Sequence, residues 1–104
     1  MRFKANVTIT FTLTNKIIMK AWEDACRSIL GPDYEPECTS GLEGTHSLES
    51  GHYHGRAVDF ATKDIPKDQH DMLVHEVQSI LGRKYFVLNE GTHIHIQRNA
   101  NAFP

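Results

Sequence analysis

Seven of the 104 residues are histidine, and five of these fall in two short windows. The later window reads THIHIQ, residues 92–97. In a β-strand, residues two apart point to the same side, so His93 and His95 share one face while Ile94 and Ile96 share the other. Such a pair suits metal binding or catalysis, and it equally suits a solvated strand face. The earlier window ends in SGHYHGRAVDF, residues 50–60. His52 stands in a loop, and Asp59 follows seven residues later between Val58 and Phe60. A carboxylate in apolar surroundings costs several kcal/mol unless it is paired or bound to a cation. On the exposed side of a half-buried strand the same residue needs no partner. Taken together, the windows offer imidazoles and one carboxylate without a cysteine cluster. That is the ligand set of a catalytic zinc, which keeps its fourth position for water. Zinc would bring the pKa of that water down toward about 7 and polarise a scissile carbonyl. A base must then take the proton, and Glu90, just before the histidine pair, is the candidate.

These residues need elements to hold them. Residues 5–14 alternate Val7, Ile9, Phe11 and Leu13 with threonines, which predicts a half-buried strand. Asn15 is the expected cap of a helix over 16–30, with Ile18, Trp22, Ala25 and Ile29 as its apolar stripe and Gly31-Pro32 as its stop. Residues 34–39 read as a short extended segment. Residues 40–54, rich in Gly, Ser and His, read as a long functional loop. Residues 55–62 predict a buried strand carrying Asp59, entered sharply at Gly55. A second helix is expected over 67–81, with Leu73, Val77, Ile80 and Leu81 inward and Gly82 at its end. His70 and His75 are then expected at the surface. Strands over 85–90 and 92–97 should join at Glu90-Gly91, and the polar tail, residues 98–104, is expected to fray. The order β-α-β-loop-β-α-β-β predicts the α+β class: a small antiparallel-rich sheet with helices packed on one side.

The bulk properties narrow the function. The length suits one domain able to bury roughly 60–70% of its unfolded surface. A formal net charge of −2, with no basic block, argues against nucleic-acid binding by phosphate neutralisation. No apolar run of about 18 residues predicts a membrane span. The first residues lack a signal-peptide core, so synthesis in the cytoplasm is expected. In that compartment Cys26 and Cys38 are expected to be buried free thiols.

The segment Ser50-Gly51-His52-Tyr53-His54-Gly55-Arg56-Ala57-Val58-Asp59 resembles the SxHxxGxAxD motif of the D-Ala-D-Ala metallopeptidases of peptidoglycan. His93-Ile94-His95 resembles their second motif. Hedgehog domains share that fold, and HSLESGHYHGRAVDF and THIHI are similar to their zinc-site segments. The likeness extends over residues 10–98, and small phage-encoded peptidases are the nearest in kind. The resemblance implies a hedgehog/DD-peptidase-like fold and one zinc peptidase domain spanning 1–104, expected to be monomeric. It implies Zn2+ held by His52, Asp59 and His95, with Glu90 as base and His93 stabilising the oxyanion. A second alignment, through Glu90-Gly91-Thr92-His93 as an ExxH motif, makes His93 the third ligand instead. The implied substrate is a peptidoglycan stem peptide, reached by release from the cell or by carriage on a virion. Family carboxypeptidases follow an SG pair with an arginine that grips the substrate carboxylate. Here Ser40-Gly41 precedes Leu42 and Glu43, so endopeptidase action stays open. His46 matches a histidine of the hedgehog-like segment and reads either as a cleft-lining residue or as a loop residue, and His54 reads as an exposed neighbour. A catalytically silent, zinc-stabilised binding module is the alternative.

Overall fold

Helix α1 spans Leu13–Leu30 and starts from a side-chain cap. Thr12 is extended, and its Oγ1 accepts the Asn15 N–H at 3.0 Å. This satisfies one of the amide groups that a helix N-terminus leaves unpaired. The helix therefore begins earlier than the alternation of residues 5–14 suggests. Asn15 is not the cap but a buried first-turn residue, and Leu13 lies at the exposed start of the helix. The local Thr12 hydrogen bond outweighs the period-two pattern at this point. The computed structural model describes residues 1–5, 7, 12–40 and 56–99. Of the predicted first strand, residues 6 and 8–11 lie outside the described residues, and the Val7 N–H closes a turn on the Lys4 carbonyl at 3.2 Å. Among the described residues, the N-terminal strand is the two-residue β1, Arg2–Phe3.

The buried face of α1 carries Ile18, Ala21, Trp22, Ala25 and Cys26, close to the predicted stripe. Gly31, at φ 115°, ends the helix in a conformation that L side chains rarely adopt. Strands β2 (Glu37–Ser40) and β3 (Ala57–Ala61) follow. Pro66 opens a 3-10 turn over Lys67–Gln69 that leads into α2, His70–Leu81. Leu73 and Val77 of α2 are buried as expected, whereas Ile80 is exposed. His75 is at the surface. His70 is not: it is buried, with Nε2 3.1 Å from the Ile65 carbonyl oxygen. The turn after Pro66 folds that carbonyl back over the helix start, which a helical-face argument does not foresee. Strands β4 (Tyr85–Asn89) and β5 (His93–Arg98) form a hairpin. Arg98 is its last strand residue, and the Asn99 N–H donates to the Lys84 carbonyl at 2.8 Å. The polar tail thus starts later than expected, and residues 100–104 lie outside the description.

The five described strands make one sheet in the order β1-β2-β3-β5-β4. β1 runs parallel to β2, and the β2–β3, β3–β5 and β4–β5 pairs are antiparallel. The core joins sheet residues Cys38, Val58, Phe60, Ile94 and Ile96 to Ile18, Trp22, Leu73 and Val77 of the two helices. This is an α+β fold, a mixed sheet with both helices on one face. The Trp22 and Phe60 rings stack with centroids 5.3 Å apart at its centre. Cys26 is a free, buried thiol, and Cys38 is buried as well. Burial pushes the pKa of the Cys26 thiol well above its ordinary range, with the charges of Asp64 and Glu23 adding to the effect, so it stays protonated. No described helix is long and apolar enough to cross a membrane.

Phe60→Ala is expected to cost about 3–5 kcal/mol through the cavity it leaves, and Thr12→Ala about 1 kcal/mol through loss of the cap. Urea unfolding measures both. A Thr12→Ala protein as stable as the parent would mean that α1 starts elsewhere.

Candidate metal centre

β3 is buried along its whole length, and its two faces differ. Val58 and Phe60 point into the helix-covered core, which by alternation sends Ala57, Asp59 and Ala61 to the opposite face. The same alternation in β5 buries Ile94 and Ile96 and leaves His93 and His95 partly exposed. Register joins the two sets: Asp59 lies opposite His95, and Ala61 opposite His93. Directly opposed residues on one face have Cβ atoms about 4.5–5.5 Å apart, within reach of a carboxylate and an imidazole. His95 Nδ1 stands 2.7 Å from Asp59 Oδ1. The small alanines beside Asp59 leave its carboxylate room to meet the ring.

Glu90 comes from the turn between β4 and β5. Its N–H donates to the His93 carbonyl at 2.9 Å, and Gly91, at φ 84°, makes the tight reversal possible. Thr62, directly after β3, pins this turn. Its hydroxyl donates to the Gly91 carbonyl at 2.8 Å, and its N–H donates to the Thr92 carbonyl at 3.3 Å. Glu90 Oε1 thereby reaches 2.9 Å from His93 Nε2, which also faces Asp59 Oδ2 at 3.8 Å. Thr92 Oγ1 lies 3.1 Å from His93 Nδ1. One donor atom each from Asp59, Glu90 and His95 falls within 4.8 Å of the others.

Four of the five residues singled out in the sequence therefore meet on one sheet face: Asp59, Glu90, His93 and His95. The fifth, His52, lies outside the described residues, as do His46, His54 and the Ser50–Gly55 part of the motif. Asp59, Glu90 and His95 form a group that can hold a metal ion. Carboxylate oxygens and an imidazole nitrogen are the donor types that zinc and similar divalent ions accept. Asp59 and His95 are the more enclosed of the three, with side chains 10% and 13% exposed against 40% for Glu90. A cavity of about 320 Å³ beside them is lined by Lys4, Thr39, Asp59, Thr92 and His93. Another, of about 340 Å³, lies between the helices against Lys16, Ile17, Ala21 and Ile80, and none of the described histidines lines it.

Three contributors were not singled out in the sequence. Thr62 and Thr39 leave no sequence signal, because only strand pairing brings them to the site. Gln97 does leave one: it follows His95 at the strand spacing of two, and its Oε1 lies 2.9 Å from His95 Nε2. The Phe86 ring of β4 flanks the same imidazole, with centroids 5.8 Å apart.

Burial alone would lower the pKa of His95. The hydrogen bonds to Asp59 and Gln97 and the charges of Asp59 and Glu90 outweigh it, so the pKa is raised above the ordinary 6.5. No family model matches the chain, and no curated protein matches it.

An imidazole held above its unfolded-state pKa adds stability that is complete below that value and is lost as pH rises through the folded-state value. The metal-free protein should therefore lose stability as pH climbs from about 6.5 through the raised pKa of His95. Asp59→Asn should flatten this dependence, as read by urea midpoints across that range. An unchanged slope in Asp59→Asn would remove Asp59 as the cause.

Proposed function

We propose that the chain is a zinc-dependent peptidase that hydrolyses peptide bonds in peptidoglycan stem peptides. The observation that carries this reading is the convergence of Asp59, Glu90, His93 and His95 on one sheet face, at the positions to which the metallopeptidase resemblance assigns zinc ligation and catalysis. His52 joins Asp59 and His95 as ligand on the strength of that resemblance. Zinc, when bound, supplies Lewis acidity that activates water and polarises the scissile carbonyl.

The residues of the chain divide the remaining work. Asp59 and His95 are the enclosed, mutually oriented pair, which suits holding an ion. Glu90 sits on the turn, more exposed and within a few ångströms of both, which suits taking a proton from the attacking water and passing it to the leaving amine. His93 keeps one ring nitrogen against Glu90 and Thr92 against the other, so its ring is aimed at the same space. The resemblance assigns this ring to steadying negative charge on the substrate oxygen, which requires one N–H to turn from Glu90 or Thr92 toward the substrate. The hedgehog-like alternative, a zinc-stabilised binding module, would have no use for a proton acceptor at this position.

Purified protein should carry about one zinc per chain by elemental analysis, the stoichiometry of a single catalytic site. His52→Ala and Asp59→Ala should lose the zinc. Glu90→Gln should keep it and hydrolyse wall peptides at least about 100-fold more slowly. Glu90→Gln activity equal to the parent would refute the base assignment. A zinc-loaded parent that binds a partner but turns over no wall peptide would favour the binding module.

A further inference from the structure

A histidine that ligates through Nδ1 must carry its proton on Nε2. Which nitrogen holds that proton depends on what the other one meets. In this site the two ring nitrogens of His95 face different partners: Nδ1 faces Asp59 Oδ1 at 2.7 Å, and Nε2 faces Gln97 Oε1 at 2.9 Å. The geometry directs the Nδ1 side at the Asp59 carboxylate, and it places an amide oxygen on the far side of the ring.

We infer that Gln97 is a positioning residue for the metal site, accepting the Nε2 proton of His95 and so holding the tautomer whose Nδ1 lone pair is directed to the ion. This rests on the metal-site reading above and adds to it a residue that touches neither the ion nor the substrate. Strand geometry explains why residue 97 can do this. It is two residues beyond His95, so both side chains leave the same face of β5. Gln97 is also flanked in register by Ala57 on β3 and Phe86 on β4. Ala57 is too small to compete for the space. Phe86 offers no hydrogen bond, and its ring lies against His95. The amide is thus the polar group that the neighbouring strand positions do not duplicate.

The acceptor role separates Gln97 from a residue that merely fills space. A glutamate at 97 can only accept and would hold the same proton. A leucine of similar size can neither accept nor donate, which frees the ring to place its proton on Nδ1, against Asp59, where it opposes metal binding.

The test is zinc affinity, measured with Zn2+ alone by competition with a chromophoric chelator, in the parent, Gln97→Leu and Gln97→Glu. Gln97→Leu should bind zinc about 10–100-fold more weakly, the usual effect of losing the partner that orients a ligand histidine. Gln97→Glu should bind at least as tightly as the parent. Nitrogen-15 NMR of the zinc-loaded parent should find His95 protonated on Nε2 and bound through Nδ1, a readout that stands even where the leucine variant folds poorly. Parental affinity in Gln97→Leu, an equal loss in Gln97→Glu, or coordination through Nε2 overturns the inference while the metal site stands. A parent protein that binds no zinc overturns the metal site and this inference with it.

Discussion

Strand β3 is hydrogen-bonded on both edges, to β2 and to β5, and its side chains are buried on both faces. A strand so placed cannot slip. A shift of one residue would send Val58 and Phe60 out of the core and drive Asp59 into it. The apolar face is held by the Trp22–Phe60 stack and by Ile94 and Ile96 of the neighbouring strand. The register that this packing enforces also puts Asp59 opposite His95. Stability and site geometry are therefore two consequences of one pairing.

The electrostatics follow from that pairing. A carboxylate as enclosed as Asp59 would be costly alone, and removing one member of a buried charged pair leaves the other uncompensated. The imidazole of His95 provides the compensation, and its raised pKa is the other side of the same interaction. Glu90 adds a second carboxylate nearby and is itself in contact with His93. Two carboxylates facing two imidazoles make a site whose charge depends on protons, and a divalent cation would supply the same compensation without them. Competition between protons and metal for these donors follows directly.

The turn at Glu90–Thr92 is the second point at which backbone structure reaches the site. Gly91 permits the reversal, and Thr62 ties it to the end of β3. Glu90 is consequently fixed relative to Asp59 through two routes, along the hairpin to β5 and across through Thr62. Side chains supported in this way keep their geometry better than residues on an untethered loop. The helices contribute from the far side of the sheet, by packing that holds β3 and β5 together.

The sequence by itself determined the α+β class, most element positions and the pair of faces on β5, because period two and period 3.6 are local properties of the chain. It also singled out Asp59, Glu90, His93 and His95, whose types stand out in short windows. It misplaced the start of α1, since the Thr12 side-chain bond is stronger there than the alternation of residues 5–14. It put His70 at the surface, since the carbonyl of Ile65 that covers it arrives through a turn. Only the tertiary structure decided that Asp59 faces His95 and that Thr62 holds the Glu90 turn, whereas Gln97 stands at the local strand spacing of two from the ring it meets. Strand register and side-chain orientation depend on residues far apart in the chain, 36 positions for Asp59 and His95 and 29 for Thr62 and Gly91. No local pattern encodes such distances, and the packing of the core selects one pairing among those that the alternation allows.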